Sequence, residues 1–141
     1  MRFPLIRVVI VDDHEPFREG VAEVLGAEPD IEVIGQCGTA RDALAMVSHL
    51  RPDVVVLDMN MPGGGLAVVA GLASTCPEVT ILLLTVVADP DQIQMAVQMG
   101  AGGYLQKGMS AVELAATVRA VFRGEFLACP DIASDRPARL H

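Results

Sequence analysis

Basic residues are scarce in this chain. Ten Lys and Arg face 18 Asp and Glu, giving a formal net charge of −8. Nucleic acid is densely negative, so this segment is poorly suited to touching DNA directly. Cysteine is also sparse. Cys37, Cys76 and Cys129 are odd in number and widely scattered. They offer no metal-type spacing, and the simplest reading is a cytoplasmic protein with free thiols. No apolar run approaches the ~20 residues of a membrane helix. The N-terminus (MRFPLIRVVIVDD) lacks a long apolar core and a small-residue cleavage site, which argues against a signal peptide. There is no internal repeat and no low-complexity tract. No glycine-rich phosphate cradle follows the first apolar run. Acids stand there instead and would repel a phosphate unless a metal were bound, which disfavours a nucleotide or cofactor binder.

What is present is a globular composition in 141 residues, 52% apolar and 20% charged, enough for one domain with a real core. Strand-like and helix-like segments alternate. Leu5–Val11 reads as a strand, and Glu15–Ala27 as a helix with Phe17, Val21 and Val24 on one face. Ile31–Cys37 alternates and reads as a half-exposed edge strand. Thr39 is placed to cap a helix over Ala40–Leu50, with Ala43, Leu44 and Val47 inward. Asp53–Leu57 is a short apolar strand suited to the middle of a parallel sheet. A helix over Leu66–Ser74, a strand over Val79–Leu84 and a helix from Ala88-Asp-Pro90 to Met99 follow. Ala101–Leu105 is a fifth strand, and Ser110 caps a last helix, Ala111–Arg123, closed by Gly124. Strict alternation predicts a doubly wound α/β sandwich with right-handed crossovers. After Glu125 the pattern stops. Residues 126–141 read as a linker or tail, and residues 1–125 as the domain.

Four of these strands lead into polar residues suited to phosphoryl chemistry. The first runs into Asp12-Asp13, the third into Asp58, the fourth into Thr85 and the fifth into Gln106-Lys107. Parallel strands end on one edge, where such folds bind ligands. Taken singly, each residue has an ordinary reading: paired acids cap helices, a lone Asp turns the chain, and a strand-end Thr or Lys is solvated. Together they describe a site for a divalent cation and a phosphoryl group. Asp12, Asp13 and Asp58 are hard oxygen ligands that suit Mg²⁺. Asp58, ending a central strand before an open loop, is the best candidate nucleophile for an aspartyl-phosphate. Lys107 can pair with phosphoryl oxygens and Thr85 can hydrogen-bond one.

The motifs VVIVDDHEPFREGV (8–21), PDVVVLDMNMPGG (52–64), ILLLT (81–85) and GAGGYLQKGMS (100–110) resemble those of the receiver domain of bacterial two-component response regulators. The wording is closest to the NarL/FixJ (LuxR-type) group, and the resemblance covers about Ile6 to Glu125. It implies a flavodoxin-like (βα)5 fold with strand order 2-1-3-4-5. It implies that Asp58 accepts a phosphoryl group from the phosphohistidine of a sensor histidine kinase. Asp13, Asp58 and the Asn60 backbone carbonyl would bind Mg²⁺ directly, and Asp12 mostly through water. Lys107 would bind the phosphoryl oxygens. Thr85 would move toward the phosphate and Tyr104, the only tyrosine, would swing inward behind it, remodelling the face made by the fourth helix, fifth strand and fifth helix. Three positions depart from the family pattern. Leu66 stands where a glycine is usual, so the loop is one residue short and the third helix is expected to start early or be displaced. Gly108 stands where a proline is common. Val86, larger than usual, is expected to narrow access to the phosphate.

The group also implies a C-terminal helix-turn-helix domain, and residues 126–141 resemble the start of a linker to it. The alternative is a single-domain regulator. Homodimerisation is expected because the last helix carries two apolar stripes, Leu114, Val118 and Val121, and Val112, Ala115, Ala116 and Phe122. A competing enzymatic reading, a haloacid-dehalogenase-type phosphatase, wants an acid two residues after the nucleophile. Asn60 stands there, so the chain is expected not to be a turnover enzyme.

Overall fold

The computed structural model describes residues 5–61, 64–86 and 89–125. Five strands and five helices alternate: β1 Ile6–Val11, α1 Glu15–Gly26, β2 Ile31–Cys37, α2 Ala40–Leu50, β3 Val54–Asp58, α3 Gly65–Thr75, β4 Thr80–Thr85, α4 Pro90–Met99, β5 Gly103–Gln106 and α5 Ala111–Phe122. All strand pairs are parallel, in the order β2-β1-β3-β4-β5.

Side chains on a strand alternate between faces, so a two-sided sheet needs two cores. Val9, Val11, Val55, Leu57, Ile81, Leu83 and Tyr104 pack under α2, α3 and α4. Val8, Ile10, Val54, Val56, Leu82, Leu84 and Leu105 pack under α1 and α5. Every residue of β3 is buried, as its unbroken apolar sequence requires. Edge strand β2 buries only its two ends, and its register against β1 shifts between Val8 and Val9.

Local chemistry sets the helix ends. Thr39 Oγ1 accepts the Asp42 amide at 3.0 Å. Ser110 and Glu113 form a reciprocal capping box, both bonds 3.0 Å. Helix α2 ends at Arg51, which takes a left-handed φ of 49°. Its last carbonyls are met by Arg7, which donates to Arg51 O and Leu50 O at 2.8 and 2.9 Å. These bonds supply the partners that helix C-termini otherwise lack.

Several boundaries differ from those expected. Helix α3 starts at Gly65, one residue early. Strands β3 and β4 extend to Asp58 and Thr85, so these polar residues belong to the ladder and are not only its exit. Strand β5 begins at Gly103. The Gly102 amide instead bonds Ile81 O at 2.8 Å, where a Cβ would lie 2.7 Å from the Thr80 methyl. Helix α5 ends at Phe122. Its second apolar stripe is only partly free: Ala115 is buried, whereas Val112 is 79% and Phe122 43% exposed. Residues 126–141 lie outside the described residues.

Candidate phosphoryl and metal site

The parallel ladder brings four strand ends to one edge. Asp12 directly follows β1, Asp58 ends β3, Thr85 ends β4, and Lys107 directly follows β5. Carboxylate oxygens of Asp12, Asp13 and Asp58 lie within 4.8 Å of one another. Asp12 and Asp58 are buried, and Asp13 is exposed. Lys107 reaches both buried acids: its Nζ lies 2.9 Å from Asp12 Oδ2 and 3.3 Å from Asp58 Oδ1.

Backbone amides orient both buried acids. The His14 amide donates to Asp12 Oδ1 at 2.8 Å, and the Asn60 amide donates to Asp58 Oδ1 at 3.0 Å. Each is an i to i+2 turn of the kind Asp favours. The loop carrying Asn60 is anchored in turn, since the Met59 amide bonds Leu84 O at 2.8 Å. The Lys107 amide bonds Thr85 O at 2.7 Å, so β4 braces both the acid loop and the lysine. Burial pushes the Asp58 carboxyl above the usual aspartate range, and the Asp12 charge adds to this. The Asn60 amide and the Lys107 ammonium act against it.

Three carboxylates face one ammonium here, an excess of negative charge that a cation would relieve. Asp12 Oδ2 is buried and accepts no hydrogen bond of good geometry; its close neighbour is the Lys107 ammonium. Hard oxygen donors so arranged, with an exposed side at Asp13, fit a hard divalent ion.

Thr85 is buried one residue beyond the Asp58–Leu84 pair. By strand alternation it shares the α2–α4 face with Leu83, whereas Asp58 shares the other face with Val56. Tyr104 lies on the Thr85 face, 1% exposed in the core with Ile93 and Ala96. The structure therefore joins Asp12, Asp13, Asp58 and Lys107 directly and places Thr85 and Tyr104 behind them. Asn60 contributes its amide, and its residue is exposed. Val86 is 60% exposed beside Thr85. Gly108 has a φ of 100°, a conformation that proline could not take.

Four supporting residues were not legible as such in the sequence. Arg18 Nη1 donates to Asp12 O at 3.0 Å, and its Nε reaches Gln36 Oε1 at 3.3 Å, tying the ends of β1 and β2 together. Gly38 leaves room for that guanidinium, whose Nη1 would lie 3.0 Å from an added Cβ. Gly65 lies against the Met59 backbone; an added Cβ would come within 2.7 Å of Met59 O. Phe17, read as a core residue, carries Lys107 Nζ 4.5 Å from its ring centroid. The available signal was position, because Phe17 and Arg18 lie in the first turn of the helix that follows the acid pair.

The family described as the response regulator receiver domain matches residues 8–119. The DNA-binding transcriptional activator DevR/DosR of Mycobacterium tuberculosis is 38% identical over 124 residues, covering 87% of this chain and 57% of that protein. A LuxR-family two-component response regulator from Aurantimonas sp. SI85-9A1 superposes with a TM-score of 0.88 at 28% identity, over 97% of this chain and 99% of its own. The signal receiver domain of NarL from Mycobacterium tuberculosis gives a TM-score of 0.83 at 33% identity, over 87% of this chain and 100% of its own. The chain thus spans little more than half the length of the DevR/DosR relative.

Proposed function

We propose, from the premise that this chain belongs to the response regulator receiver domain family, that Asp58 accepts a phosphoryl group from the phosphohistidine of a sensor histidine kinase. The observation that carries this reading is the single ammonium of Lys107 set between Asp12 and Asp58 at the sheet edge. In the transfer, an Asp58 carboxylate oxygen bonds to phosphorus as the P–N bond of the donor breaks. The imidazole nitrogen leaves with the bonding pair. Lys107 gives up its contact with Asp58 and pairs with the phosphoryl oxygens. The Asn60 amide keeps the Oδ1 end of the carboxyl oriented.

Asp12, Asp13, Asp58 and the Asn60 carbonyl would hold Mg²⁺. When bound, the ion supplies the positive charge that lets a phosphoryl dianion approach three carboxylates. Thr85 and Tyr104, neighbours on one face of the sheet, would carry the change to the α4–β5–α5 surface. The output would be transcriptional, through a DNA-binding domain beyond this segment, with homodimerisation on phosphorylation. Exposed Val112 and Phe122 on α5 support a partner surface there. No helix among the described residues is long and apolar enough to cross a membrane, and we place the protein in the cytoplasm. Asn60 cannot serve as an acid/base, which supports a phospho-accepting switch over a turnover phosphatase.

The test is incubation with a small phosphodonor and Mg²⁺. Wild type should take up one phosphoryl group and Asp58→Asn none. Sedimentation of the same samples should show a mass that rises with phosphorylation. Equal uptake by the variant would remove Asp58 from its role.

A further inference from the structure

Lys107 is the only lysine of the chain, and it has contacts of two kinds. Two are carboxylates, Asp12 Oδ2 and Asp58 Oδ1. The third is the face of Phe17, whose centroid lies 4.5 Å from Nζ. The carboxylates are the groups that a cation and a phosphoryl group claim when they arrive, so both ion pairs are altered during transfer. The ring is neither a metal ligand nor a phosphoryl acceptor, so neither arrival claims its contact.

Packing against this core does not by itself call for an aromatic: the other partly buried side chains on the same core are Ala22, Val24, Val33 and Met109. Phe17 is half-buried and lines, with Gly20, Val21, Met109 and Leu114, a hollow along the seam between α1 and the turn into α5. Only an aromatic ring offers a negative face to an ammonium, and the attraction grows where water is excluded. The Lys107 side chain is 15% exposed, so water screens it little. The backbone fixes the two partners independently. Phe17 sits on the first turn of α1, directly after the acid pair, and the Lys107 amide is tied to Thr85 O at 2.7 Å.

We propose that Phe17 is a positioning residue for phosphoryl transfer, its ring face holding the Lys107 ammonium at the site mouth while carboxylate contacts are exchanged for phosphoryl oxygens. This rests on the reading of Asp58 as the acceptor. The chemical step is unchanged by it. With phosphoramidate as donor, an Asp58 oxygen bonds to phosphorus, the P–N bond breaks, and the nitrogen leaves with the bonding pair as ammonia.

The experiment compares wild type, Phe17→Leu, Phe17→Tyr and a series with ring-fluorinated phenylalanine at position 17, using phosphoramidate and Mg²⁺. Successive fluorination weakens the negative ring face at nearly constant volume. Phe17→Leu should lower the saturated phosphorylation rate about tenfold with Mg²⁺ affinity unchanged. Phe17→Tyr should restore it, and the fluorinated series should decline in order. Lysine labelled with ¹³C gives one side-chain Cε–Hε signal, since only Lys107 contributes. That signal should lie upfield in wild type and move downfield in Phe17→Leu as the ring current is lost. An unchanged rate, or equal rates across the fluorinated series, would overturn the role. Equal impairment by Leu and Tyr would reduce Phe17 to packing and also overturn it. If Phe17→Leu does not fold, the fluorinated series decides alone. Failure of wild type to take up phosphoryl overturns the acceptor reading, a result distinct from normal uptake that is indifferent to residue 17.

Discussion

Asp58 is a carboxyl held where ionisation is costly. Burial raises its pKa, and Asp12 beside it adds repulsion. A group whose pKa is raised on folding favours the fold while protonated and loses that contribution as pH rises through the folded value. Ionised Asp58 therefore weakens the metal-free fold at neutral pH. Asparagine keeps the shape and the acceptor for the Asn60 amide but cannot ionise. Asp58→Asn should thus raise the thermal midpoint at neutral pH without Mg²⁺, and the advantage should shrink as pH falls through the raised folded value and be gone below the ordinary aspartate range. Circular dichroism melts across pH check this. A difference independent of pH would point to packing instead. Mg²⁺ should narrow the gap at neutral pH by stabilising only the wild-type carboxylate. Strain of this kind is what a site for a cation and a phosphoryl group would be expected to carry.

At the scale of elements, the turn between β3 and α3 shows how a shortened loop keeps the acceptor in place. With Leu66 where the family pattern has glycine, α3 begins at Gly65, and this glycine lies against Met59. A methyl group there would meet Met59 Cα at 2.8 Å and O at 2.7 Å. These are backbone atoms that cannot swing away. Gly65→Ala should cost about 1–3 kcal/mol by overpacking. It should also slow phosphorylation, because Met59 precedes the amide that orients Asp58. Urea unfolding and phosphodonor kinetics give the two readouts, and a variant normal in both would show that the loop yields freely. Elements whose ends are chosen by local chemistry were legible in sequence: β2 and α2 fall where alternation and the Thr39 cap place them. So was the convergence of Asp12, Asp13, Asp58 and Lys107, since parallel strands share one carboxyl edge. Ends chosen by partners were not. Asp58 stays in the ladder because it pairs with Leu84, and β5 starts late because Gly102 closes on Ile81. The second role of Phe17 was hidden for the same reason. A residue at core spacing gives no sign of a lysine 90 positions away.

For the molecule as a whole, an arginine on the last helix clamps the sheet edge opposite the acids. Arg119 on α5 donates from Nε to Asp30 Oδ2 at 2.8 Å and from Nη2 to Asp30 Oδ1 at 2.9 Å, and also reaches Glu28. The pair spans 89 residues, joining the last helix to the loop that leads into edge strand β2. The same loop is fastened to β1, whose Ile6 amide bonds Asp30 O at 2.8 Å. Two parallel bonds to one carboxylate make this pair more than an ordinary surface contact. It is nonetheless about one-third exposed, so solvent screens it. The hydrogen bonds from Arg119 hold the Asp30 carboxyl below its usual range. A carboxyl whose pKa is lowered on folding stabilises the fold above its unfolded pKa and loses that contribution as pH falls through the folded one. Arg119→Met keeps an aliphatic stem in the hollow that Arg119 lines with Ile6 and Phe122, and removes only the fork. It should cost about 1 kcal/mol at neutral pH, a drop of about 4 °C in thermal midpoint for a domain of this size. In acid, where Asp30 is protonated in both forms, the two midpoints should converge. Phosphodonor uptake should be unaffected, because the clamp lies at the far edge from Asp58. A deficit that persisted in acid would assign the loss to packing around Phe122 and not to the ion pair.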